Sequence, residues 1–258
     1  MKSPKYTGMA VQGVSSPGDD SGHFCGHFFT GVLFSMLLVL GSPAFAQPDT
    51  FKTQRFDMVE EQIVRRGVRE PDLLNAMSRV PRHLFVPESA QSEAYEDRAI
   101  AIDQEQTLPQ AYLSARMIEL LELSGKEKVL EIGTGSGYDA AILSRVAGEV
   151  LSIEINDTIA RRARRLLENL GYENVRVRTG NGYQGWPEEA PFDAILVTAA
   201  PRNIPEVLFD QLKVGGRMVI AVGAEIQDLQ VIHKTAEGRT IRRVTPVVLG
   251  PMVRENER

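Results

Sequence analysis

The segment Glu131-Ile132-Gly133-Thr134-Gly135-Ser136-Gly137-Tyr138 decides the fold of this chain. The apolar run Lys128–Ile132 predicts a short strand that ends in the segment, and the residues from Tyr138 to Ala147 predict a helix that follows it. Glycines between a strand and a helix let backbone N–H groups approach a ligand at the helix N-terminus, along the carboxyl edge of a sheet. The segment therefore predicts a ligand-binding glycine loop.

The residues after the loop alternate between strand and helix patterns. Asn156 or Asp157 is expected to cap a helix that Gly171 closes. Strands are predicted at 150–154, 175–178, 194–197 and 217–222, with a helix around 204–212. This alternation is typical of an α/β fold, Rossmann-like, with a doubly wound and mostly parallel sheet. Two β-like runs between 228 and 249, separated by Glu237-Gly238, predict a hairpin at one edge.

The residues before the loop predict a helical N-terminal cap. Apolar residues recur at helical spacing from Phe56 to Val64 until Gly67, and Pro71 has the position of a first-turn proline in a second helix. A polar stretch at 88–110 is interpreted as loop, and 112–123 as a third helix. We therefore divide the chain into a leader (1–46), a cap with a substrate loop (47–124) and a core with a C-terminal β-extension (125–258).

The leader has the pattern of a secretory signal peptide. The apolar run 28–40 is followed by Gly41-Ser42-Pro43 and then by Ala44-Phe45-Ala46, a small-x-small cleavage site. The run is short for a membrane span, which favours cleavage after Ala46 over a stable anchor. No Lys or Arg adjoins the run, and a translation start at Met9 stays open. The pattern predicts export to the periplasm, with a cytoplasmic location as the alternative.

Composition disfavours several classes of function. The net charge of −5 argues against a protein that binds a nucleic-acid backbone. Cys25 is the single cysteine of the sequence, which excludes an intrachain disulfide and a thiolate zinc cluster. Beyond the leader there are two histidines, His83 and His233, so we expect no metal site built on imidazoles.

Two details favour S-adenosylmethionine over a dinucleotide as the ligand of the loop. The spacing is G-x-G-x-G, whereas the dinucleotide fingerprint G-x-G-x-x-G would need glycine in place of Tyr138. Glu131 also precedes the loop and suits a cationic ligand better than a pyrophosphate. Glu154 ends the next predicted strand, where a carboxylate can accept hydrogen bonds from both ribose hydroxyls. The alternative is a glycine turn needed only for close strand–helix packing.

Five longer segments resemble the signature segments of the protein-L-isoaspartate O-methyltransferases. They read VLEIGTGSGYDAAIL (129–143), GWPEEAPFDAILVTAAP (185–201), QLKVGGRMVIAVG (211–223), VPRHLFVPE (80–88) and AYEDRAIAI (94–102). The resemblance extends from about Met58 to about Val248. It implies an S-adenosylmethionine-dependent methyltransferase that methylates the free α-carboxylate of L-isoaspartyl residues in damaged proteins. The methyl ester then collapses through a succinimide, which returns part of the material to the normal linkage.

The resemblance also implies roles for individual residues. The loop would cradle the methionine and ribose part of the cofactor, Glu154 would bind the ribose, and Asn181 and Gly182 would flank the adenine. The residues of the loop in that role are Gly133, Thr134, Gly135, Ser136 and Gly137. Thr107, Pro109 and Gln110 would cover the methyl acceptor. The implied partners are isoaspartyl proteins or peptides, and we expect a monomer.

The acceptor segment departs from the family pattern I-G-x-G-Q-T-I-S-Q-P-Y. Residues 102–112 carry Asp103 and Glu105 in place of both glycines, and Pro109 in place of the serine expected beside the reacting carboxylate. Proline offers neither a hydroxyl nor an N–H, so a hydrogen bond to the substrate is lost. Asn181 replaces the aspartate of the family's G-D-G motif, which predicts weaker adenine binding.

These departures leave three interpretations open. The chain is a working isoaspartyl methyltransferase with a rearranged substrate loop, a paralogue with another methyl acceptor, or a non-catalytic interaction module on the same fold. Methylation of a carboxylate needs positioning more than a general base, so the absence of a catalytic dyad is consistent with the first. Tyr138 disfavours a dinucleotide oxidoreductase.

Overall fold

A computed structural model of the chain describes residues 50–103 and 106–254. The predicted leader lies outside the described residues, as does Glu105 of the acceptor segment. Within the described residues, no helix has the length and apolar character needed to cross a membrane.

Within the part of the chain that the structure describes, three α-helices precede the central sheet. They are α1 (Lys52–Asp57), α2 (Pro71–Arg79) and α3 (Ala111–Glu119). The helical path of α1 continues through a π-helical and a 3₁₀ turn, 58–66, to Gly67, whose φ of 97° ends it. Pro71 occupies the first turn of α2, and the side chain of Glu70 caps that helix by accepting the N–H of Leu73. The predicted stop at Gly67 and start at Pro71 are therefore confirmed.

The stretch between α2 and α3 is more ordered than the sequence predicts. It contains two 3₁₀ segments, Arg82–Phe85 and Glu88–Glu93, and a short antiparallel pair, β1 (Ile100–Ala101) and β2 (Thr107–Leu108). The interpretation of 88–110 as plain loop is wrong in this respect. Elements this short bury too few apolar side chains to produce a hydrophobic period in the sequence.

A seven-stranded sheet forms the centre of the fold. Its strands are β3 (Lys128–Ile132), β4 (Glu149–Glu154), β5 (Val175–Thr179), β6 (Phe192–Val197), β7 (Leu212–Gly223), β8 (Gln227–Thr235) and β9 (Gly238–Val247). Their order is β5-β4-β3-β6-β7-β8-β9, parallel from β5 to β7 and antiparallel at β8 and β9. The mostly parallel Rossmann-like sheet and the edge hairpin are thus confirmed.

Three further helices connect the strands. They are α4 (Tyr138–Val146), α5 (Asp157–Asn169) and α6 (Glu206–Asp210). Asn156 caps α5 because its side-chain oxygen accepts the N–H groups of Thr158 and Ile159 at 3.0 and 3.3 Å. Gly171, with φ of 76°, follows the end of α5. Both predicted boundaries of this helix are confirmed.

The core has two layers, one on each face of the sheet. Side chains of the cap, such as Ile63, Met77 and Phe85, are buried in one cluster with Val129 of β3. On the other face, residues such as Leu208 of α6 pack with the opposite side of the strands. The winding direction reverses at β3, because β4 and β6 flank it on opposite sides. A parallel sheet opens a crevice at such a switch point, beyond the carboxyl ends of the strands.

Candidate active site

A cavity of about 1530 Å³ occupies that crevice. Its lining comes from the glycine loop, the end of β4, the acceptor segment 106–110 and the C-terminal segment 244–253. The cavity therefore joins the region predicted for the cofactor to the region predicted for the methyl acceptor.

Thr198 at the end of β6 supports the glycine loop. Its hydroxyl donates to the carbonyls of Ile132 and Gly133, at 3.0 and 2.8 Å. A β-carbon on Gly133 would lie 2.5 Å from the Thr198 Oγ1, and the φ of 99° at Gly133 is one that L side chains rarely adopt. The loop thus needs glycine at this position both for its conformation and for the close approach of Thr198. The sequence analysis missed Thr198, although it directly follows a predicted strand.

Glu154 presents a buried carboxylate to the cavity. Its side chain ends β4, and the residue is only 2% exposed. One oxygen accepts the N–H of Gly135 at 2.9 Å, and the other accepts the N–H of Asn156 at 3.0 Å and the side-chain amide of Gln106 at 3.2 Å. A carboxylate has about four lone-pair sites, so Glu154 can accept a further donor from a ligand.

Glu131 lies behind the glycine loop and not on the cavity wall. It is fully buried and accepts the hydroxyl of Ser152, which in turn lies 2.5 Å from the Thr134 hydroxyl. Burial raises the pKa of Glu131 well above 4.5, and the nearby carboxylates of Asp139 and Glu154 raise it further. Our expectation that Glu131 suits a cationic ligand is therefore not met, because Glu131 does not line the cavity and instead supports Thr134 of the loop through the hydroxyl of Ser152.

The acceptor segment closes one side of the cavity. Thr107, Pro109 and Gln110 all line it. The carbonyl of Pro109 accepts the Nη2 of Arg82 at 2.6 Å, and the Gln110 amide donates weakly to the carbonyl of Asp97 at 3.4 Å. Thr107 is exposed.

Two predicted residues do not border the cavity. The side-chain oxygen of Asn181 accepts the N–H of Tyr183 at 3.0 Å and so caps a short turn. Gly137 packs on α5, where a β-carbon would lie 3.2 Å from Leu167. The other predicted site residues line the cavity: Gly133, Thr134, Gly135, Ser136, Glu154 and Gly182, together with the three of the acceptor segment.

The C-terminal segment 244–253 forms a wall that the sequence analysis missed. Gln227 fixes it by donating to the carbonyl of Leu249 at 3.0 Å and accepting its N–H at 2.6 Å. Ala200 binds it further on, with its N–H to Gly250 and its carbonyl to Met252. Residues 244–249 fall in a predicted β-like run, but that pattern does not show that the run reaches the cavity. The contact that places it there comes from a buried glutamine 22 residues away, for which the sequence carries no local signal.

The lining fits S-adenosylmethionine, the cofactor that the sequence implies. The Ser136 hydroxyl oxygen is buried on the cavity wall, with no hydrogen-bond partner among the described residues, so a ligand can supply one. Glu154 has an acceptor site left for a ribose hydroxyl. Gly182 lies on the cavity wall and packs so closely that a β-carbon there would lie 2.4 Å from Ile132. Within the described ranges, no cluster of His, Cys, Asp or Glu could hold a metal ion.

Comparisons with known proteins agree with this geometry. The sequence profile of the family described as Protein-L-isoaspartate(D-aspartate) O-methyltransferase (PCMT) matches residues 53–257. A protein-L-isoaspartate O-methyltransferase of Synechococcus sp. is 48% identical over 213 residues, which cover 80% of this chain and 87% of that protein.

Solved structures share the fold. One protein-L-isoaspartate O-methyltransferase superposes with a TM-score of 0.72 at 31% identity, covering 80% of this chain and 67% of the other. A putative enzyme of the same name from Plasmodium falciparum, in complex with S-adenosyl-L-homocysteine, has a TM-score of 0.65 at 24% identity. It covers 77% of this chain and 98% of its own.

Proposed function

The chain belongs to the protein-L-isoaspartate(D-aspartate) O-methyltransferase family, and we propose that its cavity is where cofactor and isoaspartyl carboxylate meet. Its activity is the S-adenosylmethionine-dependent methylation of the free α-carboxylate of L-isoaspartyl residues in damaged proteins and peptides. The observation that carries the assignment of the site is the buried carboxylate of Glu154, which opens into the same cavity as the acceptor segment.

The protein's contribution to this reaction is positioning. S-adenosylmethionine supplies, when bound, a methyl group that its sulfonium makes electrophilic. The substrate carboxylate is ionised at neutral pH and needs no general base, so alignment of the reacting atoms is the main requirement. We assign the cofactor side to residues 133–136, Glu154 and Gly182. Asn181 belongs to the same side through the turn that it caps, which places Gly182 on the wall.

Recognition of the acceptor needs donors other than residue 109. Pro109 has no N–H and no polar side chain, and its carbonyl is bonded to Arg82. We assign recognition of the substrate carboxylate to the hydroxyl of Thr107 and the amide of Gln110. The bond from Gln110 to Asp97 is long, at 3.4 Å, so the amide can exchange it for a charged acceptor.

The test is methyl transfer from labelled S-adenosylmethionine to a synthetic isoaspartyl peptide, with the aspartyl peptide as control. We expect label on the isoaspartyl peptide alone. Pro109→Ser restores a hydroxyl and should raise kcat/KM by about tenfold, the size of one hydrogen bond to a charged group, whereas Thr107→Val should lower it by a similar factor. No label above the control, beside an active family member, would overturn the assignment of the acceptor.

A second candidate function, with another methyl acceptor or with no methyl transfer at all, is suggested by Pro109. If the full-length chain binds S-adenosylhomocysteine tightly but methylates no isoaspartyl peptide, Pro109 marks a site for another acceptor or a binding role. Weak methylation that Pro109→Ser does not raise also favours this candidate, because the serine then has no substrate carboxylate to bind.

We also propose that the chain is exported, that it acts as a monomer, and that the cap and the core divide at residue 125. Export is supported by the signal-peptide pattern of residues 28–46. Cell fractionation with N-terminal sequencing tests it: a mature N-terminus at Gln47 in the periplasm is expected, and an intact leader in the cytoplasm would contradict it. Light scattering on the protein as it elutes from a size-exclusion column tests the oligomeric state: we expect the mass of one chain, and the mass of two would contradict the monomer.

A further inference from the structure

Arg82 is an arginine with no exposed surface in a chain whose charged groups otherwise lie mostly outside. Its Nε donates to the carbonyl of Ala94 at 2.8 Å, and its Nη2 donates to the carbonyl of Pro109 at 2.6 Å. The guanidinium carbon lies 4.8 Å from the ring centroid of Tyr138. Arg82 thus contacts the cap, the acceptor segment and the first residue of α4.

The surroundings of Arg82 explain how a buried charge is tolerated. Burying a cation is costly unless it is paired and hydrogen-bonded. Two carbonyls and an aromatic face supply part of that stabilisation. Asp139, a buried residue on the cavity wall, adds to it: burial raises the pKa of Asp139, while the hydroxyl of Ser114 and the charge of Arg82 act to lower it. A group held by so many partners has little freedom to move.

The Pro109 contact links this rigid group to the reaction site. The carbonyl is the single polar group that a proline at position 109 offers, and Arg82 holds it. Tyr138, the other contact, directly follows the glycine loop and lines the cavity with Pro109. One side chain therefore fixes the distance between the acceptor segment and the cofactor loop.

We propose that Arg82 is a positioning residue for methyl transfer, which holds the acceptor segment in register with the cofactor loop through the carbonyl of Pro109. This inference rests on the function proposed above. An error of about 1 Å in the placement of reacting groups can cost about a hundredfold in rate, so an anchor of this kind acts on the reaction without touching the substrate.

The experiment compares Arg82→Met with a matched control, Arg55→Met, in the full-length chain. Arg55 is also buried in the cap, at 5% exposure, and it donates to the carbonyl of Ser78 and to the hydroxyl of Tyr95. Both variants remove a buried arginine, so both should lower Tm. Arg82→Lys is a third variant, which keeps the cation but not the two nitrogens that bond the carbonyls of Ala94 and Pro109. It keeps the test valid if Arg82→Met fails to fold.

We expect Arg82→Met to lower kcat/KM for the isoaspartyl peptide by about tenfold or more, with Arg82→Lys between it and wild type. The affinity for S-adenosylhomocysteine should stay within about twofold of wild type, as should kcat/KM of Arg55→Met. Hydrogen exchange of the amides between 107 and 114 should speed up in Arg82→Met and not in Arg55→Met. Equal kcat/KM and equal exchange in the two methionine variants would overturn the proposal.

The exchange measurement separates this inference from the proposed function. If wild type methylates no isoaspartyl peptide, the proposed function fails. Faster exchange of 107–114 in Arg82→Met would then still support Arg82 as the anchor of this segment, and unchanged exchange would refute it.

Discussion

Replacing Glu154 by glutamine removes a negative charge from the cavity wall and converts one acceptor oxygen into a donor NH₂ group, while the side-chain volume stays almost unchanged. In the wild type, the carboxylate accepts the N–H groups of Gly135 and Asn156, one on each oxygen. Glutamine has a single acceptor oxygen, so one of these N–H groups would face an NH₂ group instead. Because Glu154 is only 2% exposed, little water can reach the site to replace the lost bond.

The expected magnitudes follow from these contacts. An unpaired buried donor costs about 1–3 kcal/mol of folding free energy. Ribose hydroxyls that bond to a charged acceptor gain about 1.5–3 kcal/mol, and most of that gain is lost with a neutral amide. Since about 1.4 kcal/mol corresponds to a factor of ten, the Kd for S-adenosylhomocysteine should rise about ten- to a hundredfold.

Isothermal titration with S-adenosylhomocysteine measures this change, and Glu149→Gln is the matched control. Glu149 begins the same strand and forms an ion pair with Arg176 at 2.9 Å, with 41% of its side chain exposed. An exposed pair contributes little, so this control should bind like wild type. If Glu154→Gln also binds within about twofold of wild type, the ribose assignment of Glu154 is refuted.

Three further predictions concern stability. Burial raises the pKa of Glu131 above 4.5, so the folded state keeps a proton that the unfolded state releases, and the wild type loses stability as pH rises. The Glu131→Gln variant has no such proton. Its free energy of unfolding minus that of wild type should therefore increase from about pH 5 to about pH 8, and a difference that does not change with pH would contradict the prediction. Gly133→Ala should lower the free energy of unfolding, measured in urea, by about 1–3 kcal/mol more than Gly171→Ala does. Both glycines have positive φ, but only at Gly133 would a β-carbon collide with a hydroxyl, that of Thr198. Equal losses would show that backbone strain alone accounts for the effect. Gln227→Leu leaves the buried N–H and carbonyl of Leu249 unpaired and should lower the free energy of unfolding by about 2–5 kcal/mol in the same assay. A loss below about 1 kcal/mol would show that this pair of hydrogen bonds, the clamp between Gln227 and Leu249, is not needed.

Local signals made the fold predictable. Gly67, Pro71, Asn156 and Gly171 act through backbone conformation or a neighbouring N–H, which are properties of a few consecutive residues. The order of strands and helices then left few topologies, because crossovers between parallel strands have a fixed hand. Residues 128–154 needed no tertiary information to be predicted as a strand, a glycine loop, a helix and a second strand, whereas the strand order that makes β3 the switch point came from the structure.

The remaining parts of the site depend on contacts distant in sequence. The clamp between Gln227 and Leu249 spans 22 residues, and the bond from Arg82 to Pro109 spans 27. Neither leaves a periodic pattern, so the C-terminal wall and the anchor of the acceptor segment could not be read from the chain. Glu131 shows the opposite error: its position before the glycine loop suggested a contact with the cofactor, but the residue is buried and does not line the cavity, whereas its neighbour Ile132 does.

The edge strand β9 has features that limit strand pairing with other proteins. Nearly all of its residues are exposed, and it pairs on one side only, with β8. An open strand edge is a template for strands of other chains, and damaged proteins with loosened structure would offer such strands. The edge carries Arg239, Arg242, Arg243 and Pro246, charges and a missing donor of the kind that discourage edge-to-edge pairing. By that physical argument, the edge disfavours addition of a substrate's strand to the sheet.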